Sequence, residues 1–422
     1  MKITSIKGMH DVGPPDIAVW HRVEKIAREV FETAGFHELR TPVLEEELLF
    51  TQSIGNTTEI VEKEMYRFPD RKEKMLALRP EGTASIVRSY IEHYAQPGGA
   101  YQRFYYFGPM FRYERPQKGR YRQFYQMGSE VFGSSAPATD AELIHLADEI
   151  FKRLKIQSVR LQLNTLGDKK CRPVYREALL QFLRPLASQL CEDCNRRLER
   201  NPLRVLDCKK EGCIAATQNA PSVLEHLCDE CVVHFEGVQR ALRGFGVNYE
   251  INSRMVRGLD YYERTAFEFL SGELGSQNAV AGGGRYDDLV KDLGGPPVPG
   301  VGFAIGMERL VLLVSSQTQP EEGRKKIFIA ALGSEAENRL LPFIVDLRRK
   351  GFEVQAEYGA KSLKGQLRQA DRLAVDYAVI VGDDELQKGI VQVKPMKEKG
   401  EQATVPLDSL LVYFQSKIPK QL

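Results

Sequence analysis

Over the first third of the chain, apolar positions fall into helical and extended registers with clear stops between them. Ile17, Trp20, Val23, Ile26, Val30 and Phe31 recur at three- and four-residue spacing behind Pro14-Pro15-Asp16, which predicts a helix stopped by Gly35. Residues 36–42 read as a strand closed by proline. A second helix follows Thr83 through Ile86, Val87, Tyr90 and Tyr94. Residues 101–114 and 121–132 are aromatic-rich runs on either side of the basic loop Arg115-Pro116-Gln117-Lys118-Gly119-Arg120, which predicts an antiparallel hairpin. Alternation places Phe124, Gln126, Gly128 and Glu130 on one face, and Arg112 on a face with Glu114. Gln, Gly and Glu in mid-sheet make a poor core and a good floor for a polar pocket.

Farther on, Leu143, Leu146, Ile150 and Leu154 predict a helix and residues 159–163 a strand. Residues 168–235 differ in character, being helix-rich, charged and cysteine-bearing, and read as an insertion. Strands resume over 255–269, 278–282 and 300–305, with a helix from Met307. An α+β domain over 1–167 and 236–314 is expected, with flanking helices on an antiparallel sheet. Residues 315–324 have linker composition. Beyond them, strands at 326–331, 353–356 and 377–381 alternate with helices at 335–350 and 363–373, predicting a small parallel-sheet α/β domain over 325–422.

Composition narrows the classes. Hydrophobic content of 42% with 27% charged residues is ordinary for a globular protein and excludes a disordered or collagen-like chain. No apolar run approaches the ~18 residues of a membrane span, and the first residues lack the apolar stretch of a signal peptide, so a cytoplasmic protein without membrane contact is expected. The net charge of +2 carries no global nucleic-acid footprint. From Arg324 onward, 17 basic residues face 13 acidic ones, a surplus of +4 that is compatible with RNA contact.

Candidate chemistry concentrates in two places. Arg112 and Arg309, on separate elements, offer two planar guanidiniums that suit a bent polyphosphate. Gly302 and Gly306 allow close backbone approach, Phe124 can stack on a base, and the chain has no Gly-x-x-x-x-Gly-Lys-[Ser/Thr] loop. Taken alone, Arg112 reads as a salt-bridge partner, Glu130 as a solvated strand residue and Thr83 as a helix cap. The second place is the cysteine cluster. Cys191-x-x-Cys194 and Cys228-x-x-Cys231 have the spacing of one tetrahedral structural Zn²⁺ site, with Cys208 and Cys213 as alternative ligands and Cys171 spare; the bland reading is buried free thiols.

Several segments together carry a resemblance. Gly108-Pro109-Met110-Phe111-Arg112-Tyr113-Glu114-Arg115-Pro116 resembles motif 2 of the class II aminoacyl-tRNA synthetases. Gly302-Phe303-Ala304-Ile305-Gly306-Met307-Glu308-Arg309-Leu310 resembles motif 3, and Arg40-Thr41-Pro42 the motif 1 proline. Leu78–Thr83, Arg257–Tyr262 and Ala281–Asp287 resemble the signatures of the histidyl-tRNA synthetase family within that class. The likeness spans essentially the whole chain, and the C-terminal α/β domain resembles the family's anticodon-binding domain.

The resemblance implies a histidine–tRNA ligase that uses ATP with Mg²⁺, forms histidyl-adenylate, and passes histidine to the 3′ end of its tRNA as a homodimer. It makes Arg112, Arg257 and Arg309 the catalytic cations. ATP would be held by Arg112, Glu114, Phe124 and Arg309. L-histidine would be held by Glu81, Gly82, Thr83, Arg112, Gln126, Glu130, Arg257, Tyr262 and Tyr286, with Tyr261 more a packing residue beside them. Arg115, Gln117, Lys118 and Arg120 would meet the tRNA acceptor end. One rival is a non-catalytic synthetase-like regulatory subunit, which would lack the anticodon domain and part of the arginine set. The other is a class II ligase for a different amino acid.

Overall fold

The computed structural model describes residues 2–55, 58–96, 101–275, 278–317, 324–359, 362–397 and 400–416, and divides into units at 1–318 and 319–422. The first unit is organised by an eight-stranded sheet. Its strands are β1 (His37–Glu38), β2 (Gln102–Phe111), β3 (Gln123–Phe132), β4 (Val159–Thr165), β5 (Glu250–Ile251), β6 (Glu263–Ser271), β7 (Ala279–Arg285) and β8 (Gly300–Gly306). Their spatial order is β1-β2-β3-β8-β7-β6-β4-β5, antiparallel through the middle with a short parallel strand at each edge.

One face of this sheet is the core. Tyr105, Met127, Val131, Phe267, Phe269, Val301, Phe303 and Ile305 are all buried there. They pack against helices α1 (Asp16–Thr33), α3 (Pro137–Arg153) and α7 (Met307–Gln317), whose Trp20, Val23, Val30, Leu143, Ile150 and Leu310 repeat at helical spacing. Helix α2 (Thr83–His93) covers part of the other face through Ile86, Val87 and Tyr90.

The insertion has a core of its own, built by α4 (Cys171–Leu183), α5 (Glu192–Arg200) and short turns around Tyr175, Leu179, Leu183, Leu198, Val205 and Val223. Its last helix, α6 (Asp229–Gly244), runs unbroken past residue 235 and buries Phe235, Val238 and Leu242 in the main core. The position expected for the insertion's end therefore falls inside one helix that belongs to both layers.

In the second unit, β9 (Lys326–Ala331), β10 (Glu353–Ala356) and β11 (Tyr377–Val381) are parallel, with α8 (Ser334–Arg349) and α9 (Leu363–Arg372) between them. β12 (Ile390–Pro395) and β13 (Ala403–Pro406) then add an antiparallel edge, so the sheet is mixed where a wholly parallel one was expected. Three other expectations differ. Only His37–Glu38 of the 36–42 run is a strand, and the strand expected from 255 starts at Glu263, leaving Arg257 in a loop. Helix α7 extends through Gln317 into the expected linker, of which 318–323 lie outside the described residues. Among the described residues no helix is long and apolar enough to cross a membrane.

Candidate active site

The face of the sheet opposite the core formed with α1, α3 and α7 is paved in registered rows. Gly108, Gln126 and Gly306 form one, and Tyr106, Gly128, Ala304, Gly282 and Glu268 the next. Glu130, Gly302 and Gly284 lie in the third. Glycine is needed at two of these positions because something lies directly above. A Cβ on Gly282 would stand 2.6 Å from both terminal nitrogens of Arg257, and one on Gly302 would collide with the Glu130 carboxylate. Side chains of any size would fill the space that the charged groups occupy.

Above this floor is a cavity of about 230 Å³ lined by Arg112, Arg257 and Arg309, among others. Arg112 stands one residue beyond β2, so it is loop-borne and not on the strand face shared with Glu114 that alternation implied. Its backbone N–H donates to Arg122 O (2.9 Å), its Nε donates to Pro80 O (2.8 Å), and its guanidinium carbon lies 5.2 Å from the Phe124 ring centre. Arg309, in the first turn of α7, donates from Nε to Gly119 O (3.0 Å) and from Nη1 to Ala279 O. Arg257 pairs with Glu268 and lies 5.3 Å from the Tyr262 ring centre.

The electrostatics fit this convergence. Burial holds the Arg112 guanidinium below its ordinary value. Burial does the same to Arg309, helped by repulsion from Arg120 and Arg112. Burial is the largest influence on Arg257 and opposes its charge, but Glu268 together with Tyr262 and Tyr261 outweighs it and the pKa is raised. On residues lining the cavity, Gln126 Oε1, Arg257 Nε and the Tyr261 hydroxyl are buried without a hydrogen-bond partner, which is the mark of a site that expects a ligand.

At the other end, Glu81 accepts N–H bonds from Thr83 (2.7 Å) and Ala84 (2.8 Å), and so it caps α2. Thr83, the cap of the bland reading, instead donates its hydroxyl to Glu130 Oε1 at 2.7 Å. Tyr286 OH bonds the other Glu130 oxygen. Burial pushes the Glu130 carboxyl up to about 8. Glu81, Thr83, Gln126, Tyr261 and Tyr262 line the cavity; Glu130, Tyr286 and Gly82 do not, and Glu130 and Tyr286 are completely or almost completely buried.

The hairpin loop splits the proposed tRNA set. Gln117 and Arg120 exchange backbone hydrogen bonds (3.0 and 2.9 Å), closing a tight turn at Gly119 whose φ is +73°. Arg115, Gln117 and Lys118 are exposed. Arg120 turns inward, pairs with Glu114, and lines the cavity.

The expected zinc grouping is corrected. Cys191 and Cys194 do not meet Cys228 and Cys231; they join Cys208 and Cys213, while Cys228 and Cys231 join Cys171 and Asp168. Sequence spacing identified the two Cys-x-x-Cys pairs, but the fold places them in two different groups. Glu268, Glu308 and Tyr121 also line the cavity and were not foreseen. Glu268 had a readable signal, an acid between two phenylalanines in the strand segment Phe267-Glu268-Phe269. Glu308 accepts the Tyr125 N–H (2.9 Å), and burial raises its pKa to about 7.

An antiparallel sheet with flanking helices, a pocket of converging arginines on one face and a separate α/β unit is class II aminoacyl-tRNA synthetase architecture. A family model described as Histidyl-tRNA synthetase matches residues 8–310, and one described as Anticodon binding domain matches 326–417. The chain belongs to the histidyl-tRNA synthetase family. A Histidine–tRNA ligase from Geobacter sulfurreducens is 51% identical over 407 residues, covering 96% of this chain and 97% of that one. The solved apo histidyl-tRNA synthetase of S. aureus superposes with a TM-score of 0.80 at 34% identity, over 98% of this chain and all of the other. A Bacillus halodurans structure titled as an ATP phosphoribosyltransferase regulatory subunit/histidyl-tRNA synthetase reaches 0.64 at 18% identity over 90% and 99%, a likeness of fold alone.

Proposed function

We propose that this chain is a histidine–tRNA ligase whose cavity performs both half-reactions with the residues described. A carboxylate oxygen of histidine attacks the α-phosphorus of ATP, the bond to the β-phosphate oxygen breaks, and pyrophosphate leaves histidyl-adenylate. The terminal adenosine hydroxyl of the tRNA then attacks the activated carbonyl and AMP departs. Negative charge grows at the α-phosphate during the first step, so fixed cations aimed there are the main catalytic device. Arg112 and Arg257 are assigned to the α-phosphate from two sides, Arg309 to the γ-phosphate, and Phe124 and Glu114 to adenine. The observation that carries this reading is the convergence of Arg112, Arg257 and Arg309 on one glycine-floored cavity.

Magnesium fits as an ion carried on the triphosphate's own oxygens, since the cavity's Glu81, Glu114, Glu268 and Glu308 already have protein partners. When bound, it would neutralise phosphate charge. Histidine is assigned to the end lined by Glu81, Thr83, Gln126 and Tyr262, with Glu130 and Tyr286 acting from behind. A pocket that hydrogen-bonds an imidazole could reject apolar amino acids by roughly 10⁴–10⁵ without an editing domain. Arg115, Gln117 and Lys118 are assigned to the acceptor end, the unit from 325 to the anticodon, and a second copy of the chain to a cytoplasmic dimer. No cysteine lines the cavity, so zinc has no assigned step.

The test is ATP–pyrophosphate exchange with histidine, proline, threonine or glycine, followed by charging of histidine tRNA. Exchange with histidine alone is expected; exchange with another of these, or with none, would overturn the assignment.

A further inference from the structure

None of the chemistry above uses the cysteines, yet all seven fall into two compact groups. In one, the ligand atoms of Cys191, Cys194, Cys208 and Cys213 lie within 4.8 Å of one another; in the other, those of Asp168, Cys171, Cys228 and Cys231 do. Sulfurs on a tetrahedral zinc at ~2.3 Å are about 3.8 Å apart, close to the 4.0 Å between Cys191 and Cys208 and the 3.5 Å between Cys171 and Cys228. Such separations are too long for a disulfide, whose sulfurs lie ~2.05 Å apart.

The two groups are built alike. Cys191 is the N-cap of α5 and Cys228 the N-cap of α6, and each has its partner cysteine at the third helical position. In each group a sulfur accepts a backbone N–H, Cys213 from Cys191 (3.2 Å) and Cys171 from Cys228 (3.4 Å), as ligating thiolates do. Asp168 is oriented by the Lys170 N–H at 2.9 Å, and Arg264 stands 3.6 Å from its other oxygen.

We propose that the insertion holds two separate structural zinc ions, one bound by four cysteines and one by Asp168 with three cysteines. The Asp168 site ties the chain where it leaves β4 to the start of α6, by which it returns, and so clamps the base of a loop of about 60 residues. The four-cysteine site fixes α5 against the turn ending at Cys208. From that turn Asn201 Nδ2 donates to Asp260 Oδ1 (3.3 Å) and Arg204 Nη2 donates to Gly258 O (2.8 Å). Those acceptors belong to the loop that carries Arg257, Tyr261 and Tyr262. The four-cysteine zinc therefore buttresses the active-site loop from outside.

The test is metal analysis of the purified full chain. Two zinc ions per chain are expected, falling to about one in C208S/C213S and to about one in C171S/C231S. Should these variants fail to fold, Co²⁺ titration of the metal-stripped wild type is expected to raise thiolate-to-cobalt charge-transfer absorbance to an endpoint at two equivalents. An endpoint at one, no charge-transfer band, or fewer than seven free thiols in the denatured unreduced protein overturns the proposal. The kinetic arm rests on the histidine-activation reading, whereas the metal counts do not. Both C208S/C213S and R204A are expected to lower kcat in exchange about tenfold through Arg257 and to raise the KM for histidine through Tyr262, with R204A keeping both zinc ions. Unchanged kcat/KM for histidine in both overturns the buttress.

Discussion

Glu130 offers a prediction whose sign and size follow from its surroundings. The carboxyl is fully buried between Thr83 and Tyr286, and burial raises its pKa from 4.5 to about 8. The folded chain thus holds a proton that the unfolded chain releases near pH 4.5. Between these values the native state binds more protons, so this group's contribution to stability is full below pH 4.5 and is lost as pH rises towards 8. The slope is about 1.4 kcal/mol per pH unit, with an upper limit of about 5 kcal/mol across the window. Glu130→Gln removes the titration and keeps the hydrogen bonds, with the carboxamide oxygen accepting from Thr83 and its NH₂ donating to the Tyr286 oxygen. The stability of the variant relative to wild type should therefore rise by about 2 kcal/mol or more from pH 5 to 8.5. Trp20 is the chain's one tryptophan and is buried in the catalytic core, so its fluorescence during urea unfolding reports this unit. A variant-to-wild-type difference that stays flat across that range would refute the reasoning. Titrating groups that do not interact with Glu130 cancel in the comparison, and Glu81 is the one charged neighbour that acts on it.

Arg257→Ala should slow adenylate formation by about 10²–10³, the usual cost of one preorganised donor, while histidine affinity changes by less than about threefold; unaltered exchange kinetics would contradict its role. Deleting residues 325–422 should spare histidine-dependent exchange and weaken tRNA charging, and full charging by the truncated chain would remove the anticodon assignment. Asp140→Asn leaves the fully buried Arg285 with Asp287 as its remaining acidic partner and should cost about 3 kcal/mol in urea unfolding. A loss below about 0.5 kcal/mol would mean that the pair is relieved by solvent.

Much of the catalytic sheet was legible because its hairpin strands are long aromatic-rich runs and its turns are marked by glycine and proline. Phe124 and Gln126 could be set on one face from spacing alone, and both line the cavity. Depth was not legible. Glu130 shares their face, yet Gly302 opposite it lets the carboxylate sink into the sheet beside Tyr286, out of the cavity lining. The bland reading of Thr83 as a cap gives way for a related reason. Thr83 has the chemistry of a cap, but a buried carboxylate 2.7 Å away takes its hydroxyl, and Glu81 takes over the helix amides. The cysteine pairing failed because sequence gives spacing within a pair and nothing about which pairs meet. That is decided by the fold, which brings Cys208 and Cys213 to the pair at the start of α5 and Asp168 and Cys171 to the pair at the start of α6.

The same glycine rows explain why the cavity can use guanidiniums at close quarters. Arg120 and Arg112 disfavour the charge on Arg309, so crowding these groups has a cost that the protein must offset. Glu114 neutralises Arg120, Glu268 neutralises Arg257, and the backbone carbonyls of Pro80, Gly119 and Ala279 take N–H bonds from Arg112 and Arg309. Each carbonyl holds a planar fork at one edge and leaves its other donors available. A lysine could not be fixed this way, because its ammonium is a point charge with rotatable donors and no rigid plane whose free edge is aimed once one donor is bound. The site is thus preorganised as a set of half-satisfied forks around a space that a polyanion would complete, and a triphosphate relieves the mutual repulsion as it binds. This accounts for arginine at all three positions, and for the need that Arg257, which approaches from a loop, be steadied by the insertion through Gly258 and Asp260.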